Sequence, residues 1–305
     1  MAQYVTEPSA LLLREASAAG IGSTPPVTIM QQLRKVVMTK GGLPAFRYHR
    51  AGAWHEITWK AYHDEVTALS LALIQHGFGA SQVGAILGTT RPEWLLADVA
   101  IIAAGGMVAG IYPTNAPKDC NYVLDHSKAH TIFVNGPEQL AKLMDAEFGH
   151  TTLEHLRLVV VWDADISDDM RSQGRTSGTT FLSYEEFRAQ GQQASEDHRA
   201  ALADRDPHAG QCSTLVYTSG TTGRPKAVML SHDNVTWISH AIVAVHREQD
   251  FGYQGDETSI AYLPLSHIAG QLMDIHMPMC VAATTPGNFT VVFDVPGTDP
   301  LDSLP

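Results

Sequence analysis

The stretch Thr214-Leu215-Val216-Tyr217-Thr218-Ser219-Gly220-Thr221-Thr222-Gly223-Arg224-Pro225-Lys226-Ala227-Val228-Met229-Leu230-Ser231-His232 constrains this chain most. It opens on β-prone and apolar residues, passes through small ones, and closes on a second apolar run. The pattern predicts a strand, a loop and a returning strand. Gly220 and Gly223 let backbone N–H groups turn toward a ligand, and Thr218, Ser219, Thr221 and Thr222 add hydroxyl donors. Lys226 supplies a compact positive charge. Such a loop suits an anion with many oxygens, most simply the phosphates of a nucleotide. It is not the common P-loop, which needs Gly-Lys-Ser/Thr followed by a helix. Here Pro225 precedes the lysine, Ala227 follows it, and the residues after that read as strand. The bland alternative is a Gly/Ser/Thr-rich surface hairpin with no ligand.

A chain of 305 residues is long enough for one large or two ordinary domains. Its 44% apolar content is that of a soluble globular protein. A formal net charge of −12 argues against a nucleic-acid partner, which calls for a basic face. No apolar run is long enough to span a bilayer, and the first residues carry no secretory signal pattern. The expectation is a cytoplasmic protein that can make peripheral contact with membranes. Cys120, Cys212 and Cys280 are odd in number and widely spaced, which predicts free thiols.

Residues 1–45 are expected to be a loosely ordered leader, with a short helix over 27–37. Residues 46–57 alternate around Ala51-Gly52 and predict a hairpin. Thr58 is a helix cap, with Tyr62, Val66, Leu69 and Leu73 at helical spacing behind it. Strands are expected at 83–87, 107–111, 131–134 and 156–161, alternating with helices at 92–104, 118–126 and 138–147. That alternation predicts an α/β fold of parallel β-sheets flanked by helices. Residues 163–206 are expected to be a connection with one helix, 184–190. Ser231 reads as a cap before a stripe of Val235, Ile238, Ile242 and Val245, followed by a strand at 258–262 and a helix over 266–279. Residues 284–305 are expected to be a short strand, 289–293, and a disordered tail.

The loop from Thr218 to Lys226 resembles the phosphate loop of the adenylate-forming (AMP-binding) superfamily. Gly88-Thr89-Thr90-Arg91-Pro92-Glu93-Trp94 and Ala104-Gly105-Gly106-Met107-Val108-Ala109-Gly110-Ile111-Tyr112-Pro113-Thr114 are similar to its acyl-CoA synthetases. Tyr262-Leu263-Pro264-Leu265-Ser266-His267-Ile268-Ala269 looks like the family's next motif. With Ser231-His232-Asp233-Asn234, the pattern is most similar to long-chain acyl-CoA synthetases of the bubblegum type.

The resemblance implies the incomplete large N-terminal domain of such an enzyme over 46–283. It implies that Thr218, Ser219, Gly220, Thr221, Thr222, Gly223, Arg224, Pro225 and Lys226 cradle the β- and γ-phosphates of ATP. Thr218 would help hold Mg²⁺, and His267 would line the junction of acyl pocket and nucleotide site. Read without the motif, His267 is a buried, hydrogen-bonded histidine before a helix. The implied reaction activates a fatty acid with ATP to an acyl-adenylate and passes the acyl group to CoA. Ala227 departs from the family, which usually has glycine there. His232/His240 and His267/His276 lack metal-ligand spacing.

The family's Tyr-Gly-x-x-Glu and Thr-Gly-Asp segments, and its mobile lysine-bearing C-terminal domain, have no match in this sequence. That absence implies a truncated chain with little activity of its own. A non-catalytic form that keeps the fold and weak nucleotide binding is the alternative. Truncation also implies that Ile268, Leu272, Ile275 and Met279 are partly exposed.

Overall fold

A computed structural model describes residues 14–218, 224–248, 253 and 255–293. Helix α1 (Ile29–Lys40) is followed by the hairpin β1 (Pro44–Arg50) and β2 (Ala53–Thr58), and by α2 (Trp59–Gln75). Then β3 (Val83–Leu87), α3 (Pro92–Ala103), β4 (Met107–Ile111), α4 (Pro117–Ser127), β5 (Thr131–Asn135), α5 (Gly136–Leu143) and β6 (Leu158–Trp162) alternate. They lead into α6 (Asp168–Ser177), β7 (Thr180–Ser183), α7 (Tyr184–Gln192) and α8 (Glu196–Ala203). The chain continues through β8 (Cys212–Thr218), β9 (Lys226–Ser231), α9 (His232–Glu248) and β10 (Glu257–Ala261). α10 (Ile268–Gln271), a π turn (Leu272–His276), α11 (Met277–Thr284) and β11 (Phe289–Phe293) close the described part.

A seven-stranded sheet has the order β7-β6-β5-β3-β4-β8-β9, parallel except for β9, which runs antiparallel to β8. Its inner strands β3, β4 and β6 are apolar throughout, as in Val83-Gly84-Ala85-Ile86-Leu87, because helices cover both faces. The pleat divides the side chains between the faces. Ala85, Leu87, Ile111 and Val134 join one core cluster, and Ile86, Val108, Phe133 and Val160 the other. α3 lies inside the second cluster and is buried almost all round, so it carries no polar stripe.

A smaller sheet, β10-β11-β1-β2, packs its Phe46, Val291 and Phe293 into that same cluster. Phe46 sets its ring edge-on to Phe293 and Tyr62, at centroid distances of 5.8 and 5.6 Å.

Several expectations are corrected. Residues 29–40 of the expected leader form a packed helix. Thr28 and Gln31 close a reciprocal capping box, and Ile29, Leu33 and Val36 are buried. In the expected tail, β11 is an interior strand of the smaller sheet, paired with both β1 and β10. Residues 294–305 of that tail lie outside the described residues. The connection 163–206 holds three helices and the edge strand β7. The helix expected over 266–279 is broken into α10, the π turn and α11, and it buries Ile275 and Met279. The expected parallel sheets flanked by helices are present, and the expected hairpin and returning strand add the antiparallel β2 and β9. Cys120, Cys212 and Cys280 are free and buried. No helix among the described residues is long and apolar enough to cross a membrane.

Candidate functional site

β4 and β8 lie side by side in register, Val108 against Thr214 and Ala109 against Leu215. From β4 the chain crosses β3 to reach β5, whereas from β8 it turns the other way to β9. Connections that diverge in this way leave a crevice at the carboxyl ends of the strands. A cavity of about 430 Å³ occupies it. Tyr112 and Asn115 line it from beyond β4, Val216, Tyr217 and Thr218 from β8, Pro225 from the start of the return arm, and His267 and Ile268 from the segment that opens α10.

Thr218 ends β8 and Lys226 begins β9, and the two are direct partners across the antiparallel pair. Such partners project from one face with Cβ atoms about 4.5–5.5 Å apart. Thr218, which lines the cavity, and Lys226 thus lie on one face at the end of the hairpin, both exposed. Arg224 is exposed, its guanidinium 5.5 Å above the ring of Tyr122. The carbonyl of Pro225 accepts a hydrogen bond from the Tyr122 hydroxyl at 2.8 Å. Ser219, Gly220, Thr221, Thr222 and Gly223 lie outside the described residues.

His267 reaches the crevice by a close approach of backbones. A Cβ added to Gly110 would stand 2.9 Å from Ser266 Cα, so only glycine lets the Leu263–His267 turn rest against the end of β4. His267 is exposed, not the buried histidine that its position before a helix would suggest. Its Nδ1 accepts the Ala269 N–H at 3.1 Å and so caps α10. In the neutral ring this leaves the proton on Nε2, which can donate to a ligand.

The sequence reading missed Tyr112, Asn115 and Tyr217 as lining residues, and Tyr122 beneath the loop. Tyr112 stands within the quoted glycine-rich motif and Tyr217 within the opening stretch, and those were the signals available. Burial pushes the Tyr217 phenol up to about 12, so it remains a donor. Its oxygen lies 2.9 Å from His126 Nδ1. Ala227, where the family usually has glycine, pairs with Tyr217 and packs its methyl against the core without entering the cavity lining.

The paired histidines are taken up elsewhere. His232 Nδ1 accepts the Ile29 N–H at 3.4 Å, and His240 Nε2 lies 3.0 Å from the Gln32 side-chain amide. Among the described residues no group of His, Cys, Asp or Glu is arranged to hold a metal. Thr218 alone fits Mg²⁺ only as an ion that a phosphate ligand brings with most of its own oxygen ligands.

Two mixed sheets with a crevice beside the β8–β9 hairpin define an adenylate-forming class of fold. Solved relatives agree with this. The adenylation domain of a carboxylate reductase from Mycobacterium chelonae superposes with a TM-score of 0.66 at 17% identity, over 90% of this chain and 43% of that one. The anthranilate CoA ligase AuaEII superposes with a TM-score of 0.67 at 18% identity, over 92% and 47%. The family model for AMP-binding enzymes matches residues 33–289, and the chain belongs to that family.

Among curated relatives it is 32% identical to the Homo sapiens long-chain-fatty-acid–CoA ligase ACSBG2, over 90% of this chain and 39% of that protein. It is 33% identical to ACSBG1 of Rattus norvegicus, over 82% and 33%. The chain thus spans about two fifths or less of these relatives' length.

Proposed function

We propose that this chain carries the ATP-phosphate and acyl-binding part of an AMP-forming long-chain fatty acid–CoA ligase. The observation that supports this most is the crevice itself. One cavity takes in Thr218, Pro225 and His267, with Lys226 opposite Thr218 in the hairpin register. The ligase names printed for the relatives point to the same chemistry.

In this reading the fatty acid carboxylate attacks the α-phosphorus of ATP. A P–O bond to the acyl group forms, the bond to the β-phosphate oxygen breaks, and pyrophosphate leaves. Thr218 and Lys226, with Ser219–Gly223 and Arg224, hold the departing phosphates and stabilise their charge. Magnesium carried by ATP would neutralise charge between those phosphates, with the Thr218 hydroxyl as a protein ligand. His267 donates from Nε2 where the acyl and nucleotide parts meet. The CoA thiol then attacks the acyl carbon, and AMP leaves. We place the reaction in the cytoplasm, with peripheral contact at membranes, where long-chain fatty acids partition.

Binding of palmitoyl sulfamoyl adenosine, a stable acyl-adenylate mimic, tests the reading against AMP by calorimetry. Saturable binding of the mimic, tighter than AMP, is expected, and no saturable binding of either would overturn it. A second reading is that these 305 residues bind nucleotide without turnover. The share of the relatives' length that they span supports it. Release of AMP from palmitate, ATP, Mg²⁺ and CoA by the purified chain would exclude it.

A further inference from the structure

We propose that Tyr122 and His126, one turn apart on α4, are positioning residues that clasp both arms of the β8–β9 hairpin and so set the phosphate-facing pair Thr218 and Lys226. The proposal rests on the phosphate reading of that hairpin. On the return arm, the Tyr122 hydroxyl donates to the Pro225 carbonyl at 2.8 Å, and Arg224 lies 5.5 Å over the same ring. On the outgoing arm, His126 Nδ1 bonds the Tyr217 hydroxyl at 2.9 Å, with the rings edge-on at 5.8 Å. The Tyr217 hydroxyl also reaches the Val123 carbonyl at 3.5 Å, between the two grips. The rings of Tyr122 and His126 lie 5.4 Å apart, tilted at 30°, so the two grips are one unit.

The backbone pairing of β8 and β9 fixes the register but not the direction in which residues next to the loop leave the sheet. Pro225 has no N–H, and its carbonyl is taken by a side chain from another element. Held in this way, the chain entering Lys226 is pre-set toward the crevice, and less ordering is left for the ligand to drive. The Tyr122 ring also screens the Arg224 charge while leaving it at the surface.

The test uses the whole 305-residue chain, with Mg²⁺ and inorganic tripolyphosphate as the probe. Tyr122→Phe keeps the ring and removes one hydrogen bond. It should weaken tripolyphosphate about three- to tenfold, the size of one net hydrogen bond. Amide exchange at β8 and β9 should rise, while exchange in the distant strands β5 and β6 stays unchanged. Tyr122→Leu and Arg224→Met should be non-additive in affinity, because each removes the same contact. A Tyr122→Phe protein with unchanged affinity and unchanged hairpin exchange overturns the clasp. So does exchange that rises equally in all strands, because that is general destabilisation. If Lys226→Ala leaves tripolyphosphate binding unchanged, the phosphate reading fails, and the exchange measurement still decides the clasp.

Discussion

Gly110 decides whether His267 reaches the crevice, because its missing side chain is the space that Ser266 occupies. Gly110→Val should force the Leu263–His267 turn away from β4. The cost in stability should be about 1–3 kcal/mol, as for other overpacked sites, with a larger loss of acyl-adenylate binding. Thermal melting and calorimetry on one preparation check both. His267 itself has two separable tasks. His267→Asn keeps an acceptor that can cap α10, whereas His267→Ala loses the cap, worth about 1 kcal/mol. Both should lose affinity for palmitoyl sulfamoyl adenosine relative to AMP, and only the alanine variant should lower the melting temperature. At this scale the sequence motif singled out His267, which lines the cavity, but could not show its exposure, which depends on a contact with a strand far away in the chain.

Helix α1 and strand β11 carry the clearest lesson about elements. Leu33 on α1 is fully buried, so Leu33→Ala should destabilise the chain by about 2–5 kcal/mol in chemical denaturation. A loosely ordered leader would lose nothing. The short helix expected over 27–37 was legible, but the composition of the first residues hid its packing into the core, although Thr28 and Gln31 stood at capping-box spacing. The strand Phe289–Phe293 was legible as a strand by its residues, yet its place was not. Its neighbour β1 pairs Phe46 with Val291, and no local signal reports a pairing across that separation.

The region 163–206 was misread because its helices are short and polar. Ser167, Ser183 and Ser195 cap them, and those caps were the available signal. In α9 the expected stripe is split. Val235 is buried and Ile242 packs on the core, but Ile238 and Val245 are exposed, because the buried face turns through Ser239 and Val243. The outgoing and returning strands of the opening stretch, β8 and β9, were legible because the apolar runs that form them are local.

Across the whole molecule, buried titratable groups predict how stability follows pH. Burial lowers His130 and His232 to about 4, and burial with neighbouring His232 lowers His276 to about 3. Below pH 6.5 the unfolded chain binds protons that these folded rings refuse, so stability falls on acidification. Burial raises Asp98 to about 8 and Asp274 to about 7, and Asp98 has no hydrogen-bond partner among the described residues. The folded carboxyls keep protons that the unfolded chain has released, so stability also falls as pH rises toward 8. Stability should therefore peak near pH 6.5, with each differing proton worth about 1.4 kcal/mol per pH unit. Asp98→Asn should flatten the alkaline side in melting curves taken across pH.

The central claim is that the crevice between β4 and β8 receives the phosphates of a nucleotide. A crystal structure of the chain with Mg²⁺ and ATP tests it most directly. The account predicts phosphate oxygens within hydrogen-bond distance of Thr218 Oγ1 and Lys226 Nζ, beside His267. Phosphates bound elsewhere, with Thr218 and Lys226 turned to solvent, would contradict it.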